Sequence, residues 1–248
     1  PKVSDFFSIK ERDYLVMDFV PGKDLRQLMM EARQQETFIP EENVLDWASQ
    51  LASALEYLHK QEHPILHRDI KPSNLKLTPN GLVKLVDFGL VKLLAPGEIT
   101  ITVLQGQGTA LYSPLEQYGG DSGHTDARSD IYAFGGTLYH LLTNEPPLNV
   151  RDRFLNPGSL TPIREINPAV SVRTERAVHW ALQLHPEDRP KDINAFVNAL
   201  FVEDAPVTKP YRNGRVTPQT VGSPERILIF LAGGLMVVSL LLTLLRNF

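Results

Sequence analysis

Residues 65–74 read ILHRDIKPSN and residues 87–89 read DFG, and the architecture of the chain can be inferred outward from these two stretches. Between them lie two short apolar runs, residues 75–78 and 82–86, on either side of the turn-forming sequence PNG at residues 79–81. This pattern predicts a short β-hairpin. One polar stretch then stands directly before the hairpin, and the other stands directly after its second strand.

The first stretch resembles the catalytic loop of protein kinases, because His67-Arg68-Asp69 is followed by Asn74, and residues 87–89 resemble the metal-binding triplet of the same family. One such tripeptide alone would mean little, whereas both motifs in this order and context form a specific signal. The resemblance covers residues 1 to about 202. It implies an α+β, protein-kinase-like fold with a mainly α-helical large lobe and short β-hairpins.

The resemblance further implies a eukaryotic-like, bacterial-type serine/threonine kinase that uses ATP and Mg²⁺ to phosphorylate protein hydroxyls. Asp69 would accept or orient the hydroxyl proton, Lys71 would contact the γ-phosphate, and Thr109 would face both residues. Asn74 and Asp87 would hold Mg²⁺, since each offers the hard oxygen donor that this ion prefers. The alternative interpretation of Asp69 and Asp87 is an ordinary surface carboxylate or helix cap.

Residues 108–116 read GTALYSPLE and resemble the end of the kinase activation segment, with Pro-Leu-Glu where the family usually has Ala-Pro-Glu. The resemblance implies a buried, structural ion pair between Glu116 and Arg189. Asp130 resembles the kinase aspartate that anchors the catalytic loop through its backbone. Its alternative interpretation is a simple acid at a helix N-terminus, and both can hold.

Arg68 corresponds to the arginine that receives a phosphate from the activation segment in many members of the family. Thr100 and Thr102 are the candidate phosphate acceptors, and charge-assisted bonds from Arg68 would then order the loop. The alternative is that both threonines, in the sequence ITITV, are only β-prone residues without a regulatory role.

Residues 14–25 resemble the strand, hinge and helix connection that binds the nucleotide. Backbone groups of Asp18 and Val20 would bond the adenine edge, and Asp24 would reach the ribose. Lys76 is a departure, because the family usually has an apolar side chain there beneath the adenine. Its aliphatic stem can serve the same purpose, but an altered nucleotide affinity is an open alternative.

The composition of the 248 residues excludes several classes of protein. Lys plus Arg total 25 against 29 Asp plus Glu, so there is no basic excess, and we expect no nucleic acid among the partners. The hydrophobic fraction of 42% is too high for a disordered chain. Cysteine is absent, which rules out disulfides and thiolate metal sites.

Hydrophobic periodicity predicts the elements of the soluble part. Residues 3–9 and 14–20 are β-prone and predict a β-hairpin. Apolar residues at helical spacing predict a long amphipathic helix over residues 41–60. Three further helices are predicted over residues 129–142, 172–184 and 191–202.

The chain divides into four segments by composition and resemblance. Residues 1–22 would be a remnant of the small lobe with the hinge, and residues 23–202 the large lobe. Residues 203–226 would form a juxtamembrane linker. Residues 227–245 are 19 consecutive uncharged residues, which predict one transmembrane helix of roughly 28 Å, enough to cross a membrane.

The charges beside the apolar stretch predict its orientation. Within residues 206–226, four basic residues, Lys209, Arg212, Arg215 and Arg226, stand against a single acid, Glu225, and an excess of positive charge favours the cytoplasmic side. We therefore expect a single-pass membrane protein with a cytoplasmic kinase lobe. The membrane would be a partner through this helix, and a dimer is left open.

A kinase also needs a glycine-rich loop over the phosphates, a lysine on the third strand and a glutamate that pairs with that lysine. The sequence before residue 14 has no room for them, so we expect a chain whose small lobe is largely missing and which is inactive as an isolated fragment. Two functions compete. One is an active parent kinase, and the other is a non-catalytic pseudokinase or truncated-lobe scaffold that binds a partner at the membrane.

Overall fold

The computed structural model describes residues 1–10, 12–87, 92–93, 110–118 and 125–202. Thr100, Thr102, Thr109, the linker over residues 203–226 and the apolar stretch over residues 227–245 lie outside these ranges. Within the described ranges, no helix has both the length and the apolar character needed to cross a membrane.

The N-terminal hairpin consists of β1 (Val3–Ile9) and β2 (Arg12–Met17), paired antiparallel with Ile9 opposite Arg12. Phe7 and Tyr14 stack across the pair at a centroid distance of 5.3 Å. The predicted second strand extends to residue 20, but β2 ends at Met17. Only the Asp18 amide continues the pairing, donating to the Lys2 carbonyl at 2.9 Å, before the chain turns toward the hinge.

A short second sheet connects the hinge to the predicted central hairpin. Its order is β3 (Lys23–Asp24), β5 (Leu75–Leu77) and β6 (Val83–Leu85), all antiparallel. Gly22 enters β3 with φ of +108°, and a Cβ at this residue would lie 2.0 Å from the Leu77 carbonyl oxygen. Glycine is therefore required where the hinge crosses β5.

The described chain also contains a third small sheet and several short helical turns. Strand β4 (Ile65–Leu66) pairs antiparallel with β7 (Lys92–Leu93), a pairing that the sequence did not reveal. Single turns of 3₁₀-helix occur at Pro72–Asn74, Leu115–Tyr118 and Pro186–Asp188. The catalytic-loop sequence therefore runs from the end of β4 to the start of β5.

Seven α-helices form the body of the described chain. They are α1 (Leu25–Gln34), α2 (Glu41–His59), α3 (Ala127–Thr143), α4 (Val150–Leu155), α5 (Ile163–Ile166), α6 (Val172–Ala181) and α7 (Ile193–Phe201). Nearly every residue of α3 is buried, because α1, α2, α5, α6 and α7 all pack around it. Phe134 of α3 meets Phe196 of α7 edge-to-face at 5.2 Å.

Helix ends differ from the predicted ones where side chains bind the backbone. The helix predicted to end at residue 184 stops at Ala181, and the carbonyls of Gln183 and Leu184 accept bonds from Arg189. The last helix starts at Ile193 because the Asp192 carboxylate caps it, accepting from the Ala195 amide at 2.8 Å.

His179 on α6 gives the fold a pH dependence. Burial lowers its pKa to about 4, and the positive charge of Arg153 acts in the same direction. The unfolded chain therefore binds a proton at this histidine at a higher pH than the folded chain does. The contribution of the neutral His179 ring to stability is fully present above about pH 6.5 and is lost as the pH falls toward 4.

We predict that His179→Gln reduces the slope of unfolding free energy against pH by up to about 1.4 kcal/mol per pH unit between pH 6.5 and 4. Urea denaturation at several pH values measures this slope. His185→Gln, which removes an exposed histidine, controls for the substitution itself. Equal slopes in wild type and His179→Gln would contradict the prediction.

Candidate active site

The conformation of the catalytic loop is held by the buried carboxylate of Asp130 near the start of α3. Its Oδ1 accepts the Arg68 amide at 2.8 Å, and its Oδ2 accepts the His67 amide at 2.9 Å. The His59 Nε2 atom, from the last turn of α2, is a third partner at 2.9 Å. Arg68 has φ of +66°, a strained conformation for a residue with a side chain. The anchor thus places Asp69 by fixing the two residues before it.

Two further contacts hold the same loop from opposite sides. The Gln117 side-chain amide donates to the Arg68 carbonyl at 3.3 Å. The Thr137 hydroxyl, two turns along α3 from Asp130, donates to the Ile70 carbonyl at 3.4 Å and to its own helix at Ala133. Side chains therefore bind the loop at the carbonyls of the two residues next to Asp69, Arg68 and Ile70.

Asp69 is the centre of a small polar cluster. Its Oδ2 accepts from Lys71 Nζ at 2.8 Å and from Asn74 Nδ2 at 2.9 Å, and its carbonyl also accepts from Asn74 Nδ2 at 2.8 Å. Asp69 Oδ1 is buried and accepts no hydrogen bond from the described part of the chain. One oxygen is thus held in place, and the other remains an acceptor for an incoming hydroxyl.

Asp87 follows β6 on the other side of the hairpin. The Val86 amide donates to the Asn74 carbonyl at 2.9 Å, which links the two motif stretches through the backbone. Asp87 is exposed and has φ of +65°, a second strained residue in the site. The sequence motifs are therefore brought to one place by the hairpin between them.

Asn74 and Asp87 offer the hard oxygen donors that Mg²⁺ prefers. Since the Asn74 amide nitrogen donates to Asp69, its Oδ1 has, among the described residues, one long contact of 3.4 Å from the Ser73 hydroxyl. Among the described residues, no group of three or more His, Cys, Asp or Glu side chains could hold a metal ion. Two protein oxygens suit Mg²⁺, which usually takes its remaining ligands from phosphate and water.

Burial and nearby carboxylates act in opposite directions on the pKa values of His67 and Arg68 in the loop. Burial lowers the pKa of its imidazole, while Asp130, Asp69 and Asp87 act in the opposite direction. The pKa of the Arg68 guanidinium is lowered by burial as well, and Asp130 partly opposes this effect. The Arg68 Nε atom has no hydrogen-bond partner within the described residues, and its phosphate-receiving role stays a prediction because Thr100 and Thr102 lie outside those residues.

Glu116 and Arg189 form a buried ion pair, as the resemblance implies. Arg189 donates to both carboxylate oxygens of Glu116, at 2.6 and 3.1 Å. Its remaining N–H groups reach the carbonyls of Gln183, Leu184 and Arg128, so all five of its donors are used. The Ser129 hydroxyl adds a bond to Glu116 at 2.9 Å. The segment after residue 110 is thereby attached to the start of α3.

The structure gives fewer contacts for the residues predicted to bind the nucleotide. The Asp24 carboxylate caps α1, accepting the Gln27 amide at 2.9 Å, so its proposed contact with a ribose would have to share this oxygen or use the other. Lys76 Nζ donates to the Gly22 carbonyl at 3.2 Å. The backbone of Asp18 and Val20 lies in the expected hinge after β2. Thr109, assigned beside Asp69, lies outside the described residues.

Sequence reasoning missed four contributors to this site. His59, Gln117 and Thr137 bind the loop or its anchor from three different elements, and His140 pairs with Tyr112 in the segment after residue 110. Their separations along the chain are large, and no local pattern distinguishes them from other polar residues on amphipathic helices.

Comparison with known proteins agrees with the geometry. A family model described as protein kinase domain matches residues 2–205. A "Probable serine/threonine-protein kinase" of Clostridium acetobutylicum is 32% identical over 195 residues, which is 76% of this chain and 28% of that protein. The serine/threonine-protein kinase PknB of Mycobacterium leprae is 31% identical over 182 residues, covering 71% of this chain and 28% of the relative.

The solved structure described as the apo form of PpkA-294 superposes with a TM-score of 0.62 at 26% identity, covering 80% of this chain and 66% of that one. The chain spans less than a third of the length of the two curated relatives.

We predict that Asp130→Ala lowers the free energy of unfolding by about 3 kcal/mol or more, because two buried amides lose their acceptor and Arg68 loses the support for its strained backbone. Chemical denaturation measures the loss. Asp126→Ala is the control, since this partly exposed acid caps α3 and pairs with Arg128 but binds no amide of the catalytic loop, and its loss should cost about 1–2 kcal/mol. Equal losses in the two variants would show that Asp130 acts only as a helix-terminal acid.

Proposed function

Because the chain belongs to the protein kinase family, we propose that it carries the phosphate-transfer centre of a bacterial-type serine/threonine protein kinase. The observation that supports this proposal most is the hydrogen bonding of the Asp69 carboxylate. One carboxylate oxygen is fixed by Lys71 and Asn74, while the other is buried and has no donor among the described residues. A structural carboxylate would use both oxygens, and a proton acceptor needs one of them.

In this proposal, Asp69 orients the acceptor hydroxyl and takes its proton as the oxygen attacks the γ-phosphate of ATP. Lys71 holds a positive charge 2.8 Å from Asp69 Oδ2, where it keeps the carboxylate in position and faces the negative charge of the reacting groups. Asn74 and Asp87 would hold Mg²⁺, which neutralises phosphate charge when bound. The chain thus contributes positioning and charge more than covalent chemistry.

The regulatory and adenine contacts are part of the same proposal. Phosphate on Thr100 or Thr102 would bind Arg68 and order the segment that contains them. The hinge backbone at Asp18 and Val20 would bond the base, with Asp24 at the ribose. Thr109 would complete the catalytic set beside Asp69 and Lys71.

A second candidate function, a non-catalytic scaffold, is favoured by Lys76. Its ammonium group is tied to the Gly22 carbonyl at the hinge, at the position where the resemblance places the floor of the adenine site. A charged group there disfavours an apolar base unless the lysine stem provides the contact. Intact Asp69, Lys71, Asn74 and Asp87 favour the catalytic function, since a scaffold has no physical need of all four.

We also propose that residues 227–245 anchor the protein in a membrane with residues 1–226 on the cytoplasmic side. The support comes from the sequence, namely 19 uncharged residues preceded by a basic linker.

We predict that Asp69→Asn lowers the rate of phosphate transfer from ATP to a serine or threonine acceptor by about 10²-fold or more, because the proton acceptor is lost while the shape is kept. The measurement uses the naturally expressed protein and radiolabelled ATP. Asp46→Asn, an exposed carboxylate on α2, is the matched control and should keep the wild-type rate. An unchanged rate in Asp69→Asn would rule out the catalytic assignment.

Protease treatment of sealed vesicles tests the anchor. If the proposed orientation is correct, the lobe of vesicle-bound protein is degraded in inside-out vesicles and protected in right-side-out vesicles. Release of the protein by a carbonate wash would instead show that residues 227–245 do not span the membrane.

A further inference from the structure

Helix α1 presents two arginines that no other described residue engages. Arg26, Met30 and Arg33 lie at helical spacing and are all exposed, so they share one face. Neither guanidinium makes a hydrogen bond or ion pair with another described residue, whereas Arg153 and Arg189 are bonded to buried partners. Glu31, the one acid of α1, is paired with Lys23 at 2.6 Å.

This face lies beside a polar pair formed by Tyr112, in the segment after residue 110, and His140 of α3. The Tyr112 hydroxyl and His140 Nδ1 are hydrogen-bonded at 2.5 Å, and the two rings stack at a centroid distance of 6.0 Å. Helices α1 and α3 pack together, and the Asn144 side chain that follows α3 donates to the Thr37 carbonyl after α1 at 2.8 Å. The exposed arginines therefore lie next to the Tyr112–His140 pair, of which Tyr112 is buried and His140 is half-buried.

The Tyr112–His140 pair is joined to the catalytic loop through buried contacts. His140 stands one turn after Thr137, whose hydroxyl reaches the carbonyl of Ile70, the residue next to Asp69. Tyr112 belongs to the segment whose Gln117 side chain binds the Arg68 carbonyl. These contacts link the Tyr112–His140 pair to the loop that carries Asp69.

The charges that act on the Tyr112–His140 pair are the positive charges of Arg26 and Arg33. Burial lowers the pKa of His140 to about 4, and Arg26 and Arg33 lower it further, so the imidazole is neutral at physiological pH. Burial raises the pKa of the Tyr112 hydroxyl, with Arg26 acting in the opposite direction. The electrostatic potential here is therefore set by the positive charges of the two exposed arginines, because the Tyr112–His140 pair beside them is neutral.

We propose that the surface formed by Arg26 and Arg33 beside the Tyr112–His140 pair, called here the α1–α3 basic surface, binds acidic side chains of the protein substrate close to the acceptor hydroxyl. The inference rests on the proposed kinase function and adds to it the class of substrate. Charge complementarity selects Asp- or Glu-rich acceptor segments and disfavours Lys- or Arg-rich ones.

The test uses three peptides that share one serine or threonine acceptor and differ only in flanking Glu, Lys or Ala residues. The naturally expressed protein is compared with the double variant Arg26→Glu/Arg33→Glu and with Arg176→Glu, an exposed arginine on α6 that serves as the matched control. One readout is the ratio of phosphorylation rates on the Glu and Lys peptides. The second is peptide binding by fluorescence anisotropy, which needs no phosphate transfer.

Wild type and Arg176→Glu are expected to prefer the Glu peptide by about tenfold in both readouts, and the double variant is expected to lose or reverse that preference. Phosphorylation of all three peptides at equal rates by wild type, or an unchanged preference in the double variant, would overturn the inference and leave the kinase function intact. Absence of phosphate transfer with charge-dependent binding would overturn the kinase function and leave the binding surface intact.

Discussion

The buried carboxylate of Asp130 is the interaction on which the site depends. A fully buried anion is costly unless donors surround it, and Asp130 is bonded by two backbone amides and by the His59 ring. These bonds in turn stabilise the left-handed backbone conformation of Arg68, directly before Asp69. Without the anchor, neither the strained backbone nor the orientation of Asp69 has support, since the loop contributes no regular secondary structure between β4 and the turn at residue 72.

Helix α3 is therefore the scaffold of the site as well as the centre of the core. Its first turn binds the Glu116–Arg189 pair through Ser129 and the Arg128 carbonyl, and Asp130 binds the catalytic loop. Two turns later Thr137 contacts Ile70, and His140 contacts Tyr112. The catalytic loop and the segment after residue 110 are thus positioned by one rigid element, which keeps the reacting groups and the surface for a substrate in register.

Much of this arrangement could be predicted from the sequence. The motif residues, the hairpin between them and the long helices were recognisable because turn chemistry and helical spacing are local signals. The Glu116–Arg189 pair and the role of Asp130 were inferred from the resemblance to the family, and the contacts seen agree with those inferences.

The rest could not be predicted because it depends on long-range packing. The pairing of β4 with β7 joins two-residue strands, which have no periodicity to detect. His59 meets Asp130 across 71 positions of sequence, and the Tyr112–His140 pair forms only when α3 packs against the segment after residue 110. Helix α6 ends earlier than predicted, and helix α7 begins later, for a related reason. The side chains of Arg189 and Asp192 bind backbone groups that longer helices would use themselves.

Hydrogen exchange of the His67 and Arg68 backbone amides tests the role of Asp130 most directly, because both amides donate to that carboxylate and to no strand or helix. If the account is correct, these two amides exchange as slowly as those in the middle of α3, since opening them requires breaking the buried anchor. Exchange at the rate of an exposed loop, with α3 still protected, would contradict it.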